Sequence, residues 1–254
     1  MRLKPISHLL LAVVLVWLGF LAFRTADFPP GVQPVPASLP AREVVVYLCA
    51  VLCIACGIGL LIQRTATIAA AVLCGWMLLW LLALRVPWMF VEFSVGTWWS
   101  ASSTALLTGT AWALYASVSN ARNFFTSDNG RRIARILFGL GLIPIGLAHF
   151  IYLDNTAPLV PAWMQWPVFW SYFTGAAFIA AGVGMIAGVS ARLAAILITA
   201  QIALLTLLVW LPRVIGGNVN AFQWGEFVVS ILLTVCAWVV ADSYRTESPL
   251  EEAI

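Results

Sequence analysis

Apolar runs of about 20 residues, separated by short polar or proline-bearing loops, recur along the whole chain, and that is the length a helix needs to cross a hydrocarbon layer at 1.5 Å per residue. The runs place spans near 6–23, 43–63, 66–85 and 98–118, then 133–153, 168–188, 191–211 and 222–241. In lipid every backbone amide must be satisfied within its own segment, so the pattern predicts eight helices. The first run, Leu9 to Phe23 behind Arg2 and Lys4, has the outline of a secretory signal. No small-x-small cleavage site precedes Arg24, however, and the same segment recurs later in the chain, so it is expected to remain as the first span.

The recurrence extends to the whole pattern. A slide of 125 positions pairs Tyr47 with Tyr172, Ile54 and Ala55 with Ile179 and Ala180, Gly57 and Gly59 with Gly182 and Gly184, and Pro87 with Pro212. It also pairs Pro36 with Pro161 and Trp99 with Trp224. From 47 to 88 no gap is needed and 11 of 42 positions are identical, a register that glycine, proline, tyrosine and tryptophan share and that apolar composition alone does not produce. The first helices align at a slide of 127, Gly19 with Gly146 and Phe23 with Phe150. The expectation is an all-α membrane protein of eight transmembrane helices, built as two tandem four-helix bundles. Its parts are a first repeat over 1–118, a linker over 119–132, a second repeat over 133–245 and a polar tail over 246–254. Because each unit has an even number of spans, the two copies enter from the same side, a parallel repeat about an axis along the membrane normal.

Composition narrows the solvent. With 63% apolar and 9% charged residues and a mean hydropathy of +0.99, there is too little polar surface to wrap a soluble core. The net charge of +3 is spread over short loops, which speaks against nucleic acid as a partner. Arg2, Lys4, Arg64, Arg122, Arg131, Arg132, Arg135, Arg192 and Arg245 lie on one side, against Arg24, Arg42, Arg85 and Arg213 on the other. That bias puts both termini in the cytoplasm. The opposite face carries most of the prolines, Pro34 among them, and an aromatic belt of Trp88, Trp98, Trp99, Trp163, Trp166, Trp170, Trp210 and Trp224.

The second copy has an arginine-led span from Arg135 to Leu153, then Pro158 to Pro161, then Tyr172, Thr174, Gly175, Gly182 and Gly184. The run Ala191, Arg192, Leu193, Ala194, Ala195 then opens its third span. In this order it resembles the DoxX family of small four-helix bacterial membrane proteins, over roughly 132–242 and more weakly over 6–118. The resemblance implies a four-helix bundle, and some members of the family are associated with sulfur and thiol redox chemistry, including a thiosulfate:quinone oxidoreductase subunit. Many members carry an acidic residue three positions after the glycine matching Gly175. Here Phe178 stands there, with Cys53 in the first copy, and redox activity is not carried over.

Polar side chains inside spans are candidate sites because lipid makes them expensive. His149 lies about one turn from the outer end of its helix on the face that also shows Gly139, Leu142 and Gly146, and Tyr172 and Thr174 share its depth. Asp154 and Glu226, near the outer ends, are placed to orient the imidazole or to pair with Arg213, and Gln201 lies near mid-membrane. The two readings are a pocket for a lipid, a quinone or another small hydrophobic molecule, and plain interior packing. Cys49, Cys53 and Cys56 share one helix face, but an apolar mid-span setting disfavours the thiolate that redox or metal chemistry requires. No disulfide framework, resident metal or common enzyme fingerprint is expected. A membrane oxidoreductase subunit and a small-solute transporter stand as alternatives to a binding role.

Overall fold

Each apolar run folds as a helix. The structure, a computed structural model, describes residues 5–33, 35–36, 39–92, 94–217 and 219–245; Arg2, Lys4, Pro34 and the tail 246–254 lie outside them. The long helices are α1 (Ile6–Thr25), α2 (Arg42–Leu61), α3 (Ala66–Val91) and α4 (Val95–Val118), followed by α5 (Asp128–Ile151), α6 (Pro167–Ala187), α7 (Ala191–Ile215) and α8 (Ala221–Ser243). No strand occurs among the described residues. Seven of these helices, all but α4, are long and apolar enough to cross a membrane, the architecture of an all-α, multi-pass membrane protein. Their outward side chains are apolar too, with Phe20, Ile68, Leu79, Leu82 and Leu197 all more than half exposed, as a lipid solvent requires.

Three predicted boundaries shift. Helices α3 and α7 continue past 85 and 211, because a five-residue π turn (Leu81–Arg85, Thr206–Trp210) lets Pro87 and Pro212 enter the first turn of a fresh helical stretch. Helix α5 starts earlier than 133, where the Ser127 hydroxyl caps the Gly130 amide, so the linker is shorter than expected. Helix α4 falls short of that mark because it is rich in serine and threonine. Ser102, Thr104, Thr108 and Thr110 donate to the carbonyls four residues back, at 2.7–3.0 Å, which satisfies the hydroxyls where water is absent.

The helices do not close as two separate quartets. Helix α1 packs along α2 and, at its other flank, along α8; α2 packs on α3 and α3 on α4. Helix α5 packs along α6 and along α4; α6 packs on α7 and α7 on α8. A contact between α4 and α8 joins the two circuits. The result is two five-helix rings that share α4 and α8: α1, α2, α3, α4, α8 in one and α5, α6, α7, α8, α4 in the other.

The tightest pairs meet backbone to backbone. A methyl added at Gly57 would lie 2.6 Å from the Ala12 carbonyl oxygen, and one at Gly19 would lie 2.6 Å from that of Ala50. In the other half, Gly182 meets the Gly139 carbonyl and Gly146 meets that of Gly175, each again at 2.6 Å. No side chain fits at these four positions, and the resulting close approach is what holds α1 on α2 and α5 on α6.

The start of α1 and the end of α8 lie side by side, since the Ser7 hydroxyl donates to the Asp242 carboxylate at 2.6 Å. Arg135 of α5 closes the same end. It donates to the Ser243 carbonyl at 2.6 Å and to the Ser243 hydroxyl at 3.1 Å, and lies 3.9 Å from the centre of the Tyr244 ring, so a cation caps the negative end of α8.

Replacing Gly182 with alanine is expected to lower stability by about 1–3 kcal/mol, because the atom it meets is backbone and cannot swing away. Gly75→Ala, where nothing lies within 4 Å, is expected to leave stability unchanged or slightly raised. Thermal unfolding of both variants in detergent micelles checks the contrast.

Candidate functional site

The predicted cluster falls on the α5·α6 pair, and there it is packed rather than open. Half-buried His149 has its Nδ1 2.9 Å from the Ile145 carbonyl of its own helix, and its ring stacks on Phe178 with centroids 5.5 Å apart. Tyr172 is 40% exposed on the outer surface of the pair and stacks on Phe150 at 5.2 Å, so its hydroxyl belongs to the periphery. Thr174 contributes its backbone: its carbonyl accepts from Gln201 Nε2 at 3.0 Å, which ties α6 to α7.

The two carboxylates take other places than expected. Asp154 is exposed in the short helical turn Leu153–Thr156 and does not orient the imidazole. Arg213, its other expected partner, donates to the carbonyls of Leu159, Val209 and Pro158 at 3.0–3.1 Å. Glu226 is half-buried in α8, one turn before Ser230. Ser230 in turn shares a 2.6 Å hydrogen bond with Thr206 at the π turn of α7. Thus His149, Tyr172, Thr174 and Gln201 are joined through α6, while Asp154 and Glu226 stand apart from them.

The hollow lies in the other ring. It is an apolar void of about 30 Å³ where all five helices of the first ring meet. Leu15 and Leu18 of α1, Cys53 of α2, Met77 of α3, Thr110 of α4 and Cys236 of α8 face it. Such a volume holds on the order of two waters, but with so few polar partners it stays dry. The Thr110 hydroxyl already donates to the Leu106 and Cys236 carbonyls at 2.9 and 3.4 Å.

Offset arithmetic shows which residues stand at the corresponding positions of the other ring. Leu11 and Cys53 line the void; 127 and 125 positions later stand Phe138 and Phe178, both buried, at 0% and 4% exposure.

The roof of the void is the loop between α1 and α2. Pro29, Pro30 and Val32 line the void from the loop side, and Phe28 and Val32 are almost fully buried. Phe28 packs on Trp80 with centroids 5.7 Å apart, and its carbonyl accepts from Gln33 at 2.6 Å. Arg42 lies 5.1 Å from the centre of the Phe28 ring and bridges to Asp27 at 2.7 Å. Gly31 turns with φ +98°, and a methyl there would lie 2.8 Å from Leu232, so only glycine lets the loop dip this far. The Val32 carbonyl accepts from Trp80 Nε1 at 3.3 Å and from Arg85 Nη2, and Arg85 Nε donates to the Thr104 hydroxyl at 3.1 Å.

All five cysteines are buried free thiols, and no group of three or more histidine, cysteine or acidic side chains able to hold a metal occurs among the described residues. Comparison with protein families, with curated proteins and with solved structures finds no match. The roles of Leu11, Cys53 and Arg85 escaped the sequence reading, although aligning the halves had already set Cys53 against Phe178.

A phenyl ring at 149 preserves the stack on Phe178, so His149→Phe is expected to fold with a loss below about 1.5 kcal/mol. Phe178→Ala is expected to cost about 3–5 kcal/mol by opening a cavity. Equilibrium unfolding of the two variants tests the assignment of His149 to packing.

Proposed function

We propose that this chain is a DoxX-like protein of the bacterial inner membrane, an eight-span duplication of a four-helix unit, that holds a small hydrophobic molecule in the hollow of its first ring. The observation that carries the binding role is the apolar hollow itself, lined by Leu11 and Cys53, where the positions 127 and 125 residues further on hold the buried Phe138 and Phe178. A merely structural bundle has no use for a dry void, because an empty apolar cavity forfeits packing energy in proportion to its size.

Supporting the duplication are the two π turns, 125 residues apart and each followed by a proline, and the two pairs of glycine contacts at matching offsets and equal distances. Matching rings also share α4 and α8. Both copies then enter from the same side, and the arginine bias places that side in the cytoplasm. The Ser7–Asp242 bond, which brings the first and last helices together at one end, agrees with that topology. In this reading α4 is the eighth span, enclosed by its neighbours and so excused from being as apolar as they are.

Purified protein is expected to carry a hydrophobic molecule detectable by mass spectrometry. Cys53→Phe, which copies the filled half, is expected to lose it, while His149→Ala keeps it. Equal retention in the Cys53→Phe variant, checked for folding by its thermal transition, would remove the hollow as the seat. Tags at both termini are expected to be reached by a membrane-impermeant reagent only after the membrane is opened.

A further inference from the structure

We infer that Glu226 heads a proton-binding chain of hydroxyls in the second half, running from its carboxyl through Ser230 to Thr206 at the π turn of α7. The site is separate from the hollow, which α8 meets with another face, that of Leu232 and Cys236.

The starting point is a carboxyl that nothing holds. Glu226 is half-buried about 8 Å along α8 from its first residue. No hydrogen bond or ion pair reaches its side chain from any described residue. A carboxylate in such a place is costly without a donor or a cation, and an ionisable group inside a span marks an ion or proton site by default. The titratable groups on the helices around α8 supply no partner within 4 Å. On α1, His8 follows Ser7 at the end where Asp242 lies, and Arg24 is exposed at the other end. Helix α4 carries only Tyr115, near its last turn. On α7, Arg192 is exposed, and Arg213 donates to the carbonyls of Leu159, Val209 and Pro158. Arg135 of α5 lies at the far end of α8, on Ser243.

What stands beside Glu226 on its own face is a row of hydroxyls. Ser230 and Thr234 follow it at steps of one turn, and Thr206 of α7 lies 2.6 Å from the first and 3.3 Å from the second. Each hydroxyl has one hydrogen to give. Thr234 gives its own to the Ser230 carbonyl and Thr206 to the Ile202 carbonyl, both at 2.8 Å, which leaves Ser230 as the donor in its bond with Thr206. With every hydrogen spent, the row presents only lone pairs to Glu226. Lone pairs repel a carboxylate and accept from a carboxylic acid, so the neutral acid is the form that completes the chain. A proton needs one acceptor, where a hard metal cation needs about six oxygen ligands, more than this row offers. When the acid gives up its proton to hydroxide in the medium, the carboxylate takes the hydrogen of Ser230 instead, and Thr206 loses that donor. The direction of hydrogen bonding at the π turn therefore follows the proton on Glu226, and such turns are frequent at functional sites.

The fold does not need this row. In place of Glu226, Ser230, Thr234 and Thr206, the positions 125 residues earlier hold Ala101, Ala105, Gly109 and Leu81, beside a π turn of the same length. The first half makes the same backbone turn with none of these four polar groups.

The test is infrared difference spectroscopy of the full-length protein in lipid bilayers through a pH titration. The wild type is expected to show the C=O stretch of a neutral carboxylic acid that is lost as the pH rises, shifts in heavy water and is missing from Glu226→Gln. Ser230→Ala, which removes the acceptor of the acid's proton, is expected to keep the band and move it to higher frequency. Identical titrations of the wild type and Glu226→Gln overturn the site, and a band that stays in place in Ser230→Ala overturns the chain. Should Glu226→Gln fail to fold, labelling of the wild type by a hydrophobic carbodiimide, which adds across the O–H of a neutral acid, decides instead. An adduct on the peptide bearing Glu226 that fades as the pH rises supports the site, and no adduct at any pH overturns it.

Discussion

The organisation of this protein depends on backbone touching backbone. Lipid tails are as apolar as leucine, so helices in a bilayer gain nothing from hiding apolar surface and must gain instead from close packing. Gly57 on Ala12 and Gly19 on Ala50 bring α1 and α2 together, and Gly182 on Gly139 and Gly146 on Gly175 do the same for α5 and α6. Because each pair is fastened at two levels, each behaves as one rigid wall. The remaining helices are arranged around these two walls.

What separates the rings from two independent bundles is the use of α4 and α8. Each helix closes the ring of its own half and also contacts the first helix of the other half. Polar side chains concentrate where α3 meets α4 and α7 meets α8: Thr108 donates to the Met77 carbonyl at 3.2 Å, and Thr206 to the Ile202 carbonyl at 2.8 Å. Those two carbonyls are 125 positions apart, and each opens the approach to a π turn. The same backbone irregularity is served by a hydroxyl from the neighbouring helix in one half and from the helix itself in the other.

Much of this could be read from residues alone, and the reason is the solvent. A span must be long, apolar and helical, so length and composition located the long helices to within a few residues, except where a π turn carried α3 and α7 past their prolines and where the Ser127 cap starts α5 early. Gly139 and Gly146 marked one face of α5 as packed, though the helix it packs on was not named. The site was less legible. His149 drew attention as a rare polar group in a span, yet Phe178 and the Ile145 carbonyl absorb it into packing. The hollow escaped because a cavity is a relation among side chains from five helices and a loop, and no single residue announces it. Arg85 looked like a charge at the outer boundary; its burial depends on a loop folding back over it, which hydrophobic patterning does not report.

The composition of α4 bears on how the chain comes to be inserted. A helix with this many hydroxyls and so few strongly apolar side chains gains little by leaving the translocation machinery for bare lipid alone. Its neighbours α3, α5 and α8 offer the surfaces that suit it, and two of them are synthesised after it. The packing of α4 is therefore complete only once the carboxy-terminal half has been made, and a chain ending before α5 would hold three helices apolar enough to cross a membrane and a fourth without most of its neighbours.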